Sequence, residues 1–197
     1  MKYINQLEYP DLLYVTRTTM DGKDLEFGKT STVKTSGCGL CAALIAADRL
    51  LVNYEFTLTD AIQLSYDTKA NERVGTDYKR FAPAFAEKLG LRFEYSNNLE
   101  DVRNCLRTGG AVVVLADGNR EGHVGLFTKT GHYITIVSEE PDGRFAILDP
   151  SFTPSKYEEE GRKGRVEIKY DMIILCDGET LAGECLRENP YSLFWRK

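Results

Sequence analysis

The stretch SGCGLCAALIAADRL, Ser36 to Leu50, decides how the rest of the chain is read. From Gly39 to about Leu51 nearly every residue is a helix former, and Leu40, Ala42, Ala43, Leu44, Ile45, Ala46, Ala47, Leu50 and Leu51 spread apolar surface around almost the whole circumference. A helix that is apolar all round belongs in an interior, so this one is expected to be central and buried. At its front stand two cysteines, Cys38 between Gly37 and Gly39, and Cys41 three residues on.

Outward from this helix, further helices are expected at about Thr59 to Lys69, at about Thr76 to Lys88, and over LEDVRNCLRTGG, closed by Gly109-Gly110. Thr76 is the expected N-cap of the second and Gly90 its stop, while Pro83 should break or kink it. The period then changes. AVVVLAD (Ala111 to Asp117) is a β-branched run that reads as a buried strand, and HYITIVSEE (His132 to Glu140) and RFAILD (Arg144 to Asp149) alternate. Pro141-Asp142-Gly143 between these two has hairpin chemistry, and RVEIKYDMIIL (Arg165 to Leu175) reads as one further strand. Near the N-terminus, TTMDGKD marks a tight turn at Asp21-Gly22 between two short extended pieces. Helices first and strands later predict an α+β class, helices packed on an antiparallel sheet. At 197 residues a single domain, 1–197, is the default.

Composition removes some function classes. Twenty-five basic residues against 30 acidic ones give a net charge of −5, and no basic stripe is present, which argues against a nucleic-acid partner. Arg162-Lys163-Gly164-Arg165 directly follows Glu158-Glu159-Glu160 and reads as a solvated loop. No apolar run is long enough to span a bilayer, so no membrane partner is expected. MKYINQLEYPDLLYV lacks the pattern of a secretory signal, and five irregularly spaced cysteines do not make a disulfide framework. A reducing, cytoplasmic location is the expectation.

Cys38 admits four readings. Buried packing is the ordinary fate of a free cysteine. Cys-Gly-Leu-Cys at a helix start also mimics a thioredoxin motif, although Lys34, Thr35 and Ser36 precede it where a strand should be. A zinc site would need a second close Cys or His pair, and Cys176 and Cys185 are nine apart. A nucleophile is favoured by the helix N-terminus, whose free amides and dipole stabilise a thiolate, and by flanking glycines that let other atoms come close. Cys41, inside the helix, reads as packing.

A nucleophile needs a base, and the chain has two histidines. His132 opens an alternating strand, whereas His123 lies in the glycine-punctuated NREGHVGLFTKTG with no evident carboxylate partner beyond Glu121, and reads as a loop or cleft-rim residue. Asp149 ends the next strand as a possible orienter. His132 is ten residues before Asp142 and Asp149 seven after it, so a bulge or longer loop would bring both to one end of the hairpin. The sequence thus allows a Cys38–His132–Asp149 constellation.

SGCGLCAAL, GLFTKTGHYITIV and FAILDPS, in this order and spacing, resemble the three motifs of bacterial C39-like cysteine peptidases of the papain-like superfamily. The segment VGTDYKRFAPAFAEKLGL is similar to a helical region between the first two motifs, and the likeness spans roughly Lys29 to Ser151. The resemblance implies a papain-like fold, with a helical half whose central helix carries Cys38 and an antiparallel sheet carrying His132 and Asp149. It implies a Cys38 nucleophile, a His132 base, an Asp149 orienter and a peptide or protein substrate, with no cofactor and no metal. One family feature has no counterpart. The glutamine that stands several residues before the cysteine and helps form the oxyanion hole is absent, the only glutamines being Gln6 and Gln63, with Thr32, Lys34 and Ser36 filling the upstream segment. Two other expectations stand beside the peptidase: a silent papain-like protein that binds peptide, which the missing glutamine supports, and a thiol–disulfide oxidoreductase using Cys38 and Cys41.

Overall fold

The structure is a computed structural model, and it describes residues 2–15, 31–72 and 75–197. The turn expected at Asp21-Gly22 lies outside the described residues.

The central helix is α2 (Cys38–Leu50), preceded by the single turn α1 (Val33–Ser36). Ten of its residues are buried, including Leu40, Leu44, Ile45 and the pairs Ala42-Ala43 and Ala46-Ala47, as an all-round apolar surface requires. Helix α3 (Leu58–Asp67) follows with a capping box between Thr57 and Asp60. Two-residue strands β1 (Asn71–Glu72) and β2 (Gly75–Thr76) pair antiparallel ahead of α4 (Tyr78–Lys88). Here one expectation fails and the helix continues through its proline. The N-cap is Asp77, whose carboxylate accepts the Lys79 amide at 2.9 Å, while Thr76 ends β2. Pro83 does not break α4, because Phe81, Ala82, Phe85 and Ala86 on either side of it are buried and tertiary packing holds the turn together.

After α4 the chain enters a strand the sequence reading passed over, β3 (Leu91–Ser96), then α5 (Leu99–Arg107), β4 (Ala111–Asp117), β5 (Gly131–Glu139) and β6 (Phe145–Leu148). The single strand expected over Arg165 to Leu175 is a hairpin, β7 (Glu167–Lys169) and β8 (Ile173–Cys176). Tyr170 and Asp171, in a three-residue connection with Met172, turn it with φ of 49° and 59°, a left-handed pair formed here without glycine. A short helix α6 (Gly178–Gly183) leads to the last strand, β9 (Tyr191–Arg196).

Seven strands form one antiparallel sheet in the order β3-β9-β4-β5-β6-β8-β7. The C-terminal strand thus enters between β3 and β4. Both faces of the sheet are covered. Val113, Val137, Ala146, Leu148 and Leu175 join the apolar cluster of α2 and α4, whereas Val112, Val114, Ile136, Ile147 and Ile174 join that of α5. A strand buried on both sides reads as a continuous apolar run, which is why AVVV in β4 does not alternate. Among the described residues no helix is long and apolar enough to cross a membrane.

Candidate active site

Cys38 is the first residue of α2. Its neighbours are glycines because there is no room for more. A Cβ on Gly37 would stand 2.6 Å from Val33 Cγ1, and one on Gly39 would stand 2.9 Å from the Thr76 Cβ. The N-terminal end of α2 has no side-chain cap, so no side chain occupies its first amides at the thiol end of the helix. Two hydrogen bonds fix where that end lies. Thr135 Oγ1 of β5 donates to the Ala42 carbonyl at 2.8 Å, and Tyr78 Oη donates to the Gly39 carbonyl at 2.7 Å. Tyr78 also stacks on Tyr133, ring centroids 4.1 Å apart, next to His132.

His132 is buried near the start of β5, and its ring bears on the Cys38 side chain. Nε2 lies 2.6 Å from Asp149 Oδ1. Since Nε2 faces the carboxylate, Nδ1 is left for the sulfur. Asp149, one residue beyond β6, is fully buried. Besides His132, Oδ1 accepts the Ser151 amide at 2.7 Å, and Oδ2 accepts Lys156 Nζ and Tyr157 Oη, each at 2.6 Å. Tyr3 Oη donates to the Asp149 carbonyl at 2.6 Å.

These contacts set the protonation states. Burial pushes the Cys38 thiol up, but the hydrogen bond and charge of His132, with backbone hydrogen bonds from Tyr133 and Gly39, outweigh it and hold the thiol below its ordinary value. Burial works against the imidazolium of His132, yet the charge and hydrogen bond of Asp149 and the thiolate of Cys38 carry it up to about 9. Burial works against ionised Asp149 too, and Lys156 and His132 overcome it, holding the carboxyl far below the usual carboxylate range. Both shifts run toward a thiolate beside an imidazolium. The other thiols go the opposite way: burial pushes Cys105 and Cys176 to about 12 and raises Cys41 and Cys185 as well. All five cysteines are free, and Cys41 is fully buried inside α2, a poor resolving thiol for a redox pair.

A cleft of about 330 Å³ opens at Cys38, lined by Thr76, Asp77, Leu115, Gly131, Tyr133 and Arg187 among others. It abuts a second hollow of about 350 Å³ that shares Asp77, Leu115 and Tyr133. His123 lines neither and is the loop residue of the two expected alternatives, not the rim one; its Nε2 lies 2.8 Å from Oε1 of fully buried Glu184, far along the chain. Arg162 and Arg165 are likewise not a solvated loop. Arg162 is buried with Nε on the Gly125 carbonyl, and Arg165 reaches the Val124 carbonyl and Glu184. Gln6 is buried, and its Nε2 donates to the Lys34 carbonyl at 2.8 Å, tying the N-terminal segment to the turn before Cys38.

Sequence reasoning missed Ser151, Lys156 and Tyr157 around Asp149. Ser151 carried a signal, since an aspartate side chain commonly accepts the backbone amide two residues on. Lys156 and Tyr157 carried none: they sit in SKYEEEGRK, which reads as solvated, and a 3₁₀ turn over Pro154–Glu158 turns both inward.

The layout of a central helix on an antiparallel sheet, with a cleft at the helix N-terminus, is the papain-like fold of C39 peptidase domains. No family model and no curated protein sequence matches the chain. Among solved structures, the peptidase domain of Streptococcus ComA, a bifunctional ABC transporter involved in a quorum-sensing pathway, is similar with a TM-score of 0.52 at 14% identity, over 93% of this chain and 99% of that one. A C39-like peptidase from Bacillus anthracis is similar with a TM-score of 0.53 at 10% identity, over 82% of this chain and 88% of the other. At these identities the likeness is one of fold.

Proposed function

We propose that this protein is a cysteine peptidase, or a related thiol acyl-transfer hydrolase, acting on a peptide substrate through Cys38, His132 and Asp149. The observation that carries the reading is the His132 ring held 2.6 Å from Asp149 Oδ1 and bearing on Cys38, with the thiol lowered and the imidazole raised.

The Cys38 thiolate attacks the acyl carbon of a peptide laid in the cleft. Charge develops on the carbonyl oxygen, and the backbone amide of Cys38 at the free end of α2 is its donor. His132 gives its proton to the departing amine as the C–N bond breaks, leaving a thioester on Cys38. Neutral His132 then takes a proton from water, which attacks the thioester; the acid leaves and the thiolate–imidazolium pair is restored. Asp149 holds the ring with Nδ1 toward sulfur throughout.

A second reading, a papain-like protein that binds peptide without cleaving it, is favoured by one observation: among the described residues no asparagine or glutamine lines the Cys38 cleft to serve as a second oxyanion donor. Such a donor is worth about a hundred- to a thousandfold in turnover. Digestion of a peptide library by wild type and by Cys38→Ala decides between them. Cleavage present in the first and absent in the second supports the peptidase; binding without cleavage in both supports the other.

A further inference from the structure

Asp149 is held by more than orientation of His132 requires. Ser151 and Tyr157 already donate three hydrogen bonds to its carboxylate, from the Ser151 amide at 2.7 Å, Ser151 Oγ at 3.1 Å and Tyr157 Oη at 2.6 Å. Lys156 adds an ammonium 2.6 Å from Oδ2 and 2.8 Å from Ser151 Oγ, and its side chain is only 9% exposed. Ser151 Oγ lies in turn 3.0 Å from His132 Nε2. Ammonium, carboxylate and imidazole therefore form one buried row. Moving a lysine out of water is costly and is offset only by a close partner. What Lys156 contributes that a neutral donor could not is its charge.

We propose that Lys156 is a positioning residue that balances the charge of Asp149 and so sets the pH range over which the Cys38–His132 pair works, an inference that rests on the peptidase reading. An unbalanced buried carboxylate holds the His132 proton tightly, because no water screens it. The ammonium on the far oxygen opposes that pull. The other groups facing this row are Cys38 from α2, Tyr133 beside His132, Tyr3 on the Asp149 carbonyl, and Tyr157 with Arg162 behind it. Burial raises all three tyrosines, which leaves His132 as the group whose titration reports on this row.

The test uses the protein's two histidines, which isotope-labelled histidine makes separately visible by NMR. The His132 midpoint is measured in wild type, Lys156→Met and Lys156→Arg, with thermal melts as the check on folding. Lys156→Met should raise the midpoint by about one pH unit, with the descending limb of any peptide hydrolysis moving up alongside it, and Lys156→Arg should keep it near wild type. A folded Lys156→Met with an unmoved or lowered His132 midpoint overturns the proposal, whatever its loss of melting temperature. Should Lys156→Met fail to fold, Lys156→Gln, which keeps a donor and drops the charge, carries the same expectation and the same refutation. Failure of the peptidase reading is seen separately, as absence of Cys38-dependent cleavage, and leaves the His132 titration interpretable.

Discussion

His132 Nε2 and Asp149 Oδ1 stand 2.6 Å apart on one side of a hairpin whose two strands do not match residue for residue. Ser138 pairs with Ala146 and Ile136 with Ile147, so Val137 is an extra residue in β5. Without that slip the ladder would carry His132 and Asp149 to opposite sides of the sheet. The bulge is therefore what allows a histidine and an aspartate at these positions to meet.

The first expectation concerns pH. His132 holds its proton up to about 9, and the proton is what the leaving amine receives. Peptide hydrolysis should therefore fall as pH rises through about 9. A kcat/KM profile descending already near the ordinary histidine range would show that Asp149 does not act on the ring as described.

Asp149→Asn should damage the fold as well as turnover, because it strands the buried Lys156 ammonium without its partner. Losing one member of a buried pair costs about 3–5 kcal/mol. Adding Lys156→Met to Asp149→Asn should restore much of that stability in denaturant titrations while turnover stays low; simply additive losses would mean the pair is not coupled. Turnover of Asp149→Asn should fall by no more than that of His132→Ala.

Gly39→Ala tests the crowding around the nucleophile. The new Cβ would meet the Thr76 Cβ at 2.9 Å and Tyr78 Cε2 at 3.0 Å. Forcing a methyl into such a site costs about 1–3 kcal/mol, and the shift falls on the residue next to Cys38. Thermal melts should show the loss, with slower Cys38 alkylation; a variant with wild-type stability and reactivity would refute the packing argument.

His123→Ala should leave Cys38 chemistry unchanged and cost about 1–3 kcal/mol, since it removes one partner of buried Glu184. Glu184 also accepts the Leu126 amide at 2.8 Å and pairs with Arg165, so the loop should loosen without melting the fold. If His123→Ala abolished Cys38 reactivity, the choice of base would be wrong.

Much of this architecture was legible because its signals are local. The alanine-rich run after Cys38 could only be an interior helix, Pro141-Asp142-Gly143 turns the β5–β6 hairpin, and the histidine and aspartate sit at the ends of readable strands. The illegible parts depend on distant partners. Nothing in YSLFWR says that it lies between β3 and β4, and nothing in Tyr170-Asp171 announces a left-handed turn. LRFEYS does alternate, so β3 was readable and was passed over. Lys156 was hidden because a lysine beside three glutamates reads as solvated; it becomes interior only once β6 brings Asp149 beneath it.

The most direct measurement is the rate at which iodoacetamide modifies each cysteine at about pH 6, mapped by mass spectrometry in wild type and in His132→Ala. At that pH an ordinary thiol is almost wholly protonated, so fast reaction reports a thiolate held by a neighbouring cation. The account predicts that Cys38 is modified first in wild type, ahead of Cys41, Cys105, Cys176 and Cys185, and at least about tenfold more slowly in His132→Ala. Equal Cys38 rates in the two proteins, or faster modification of any other cysteine in wild type, would contradict it.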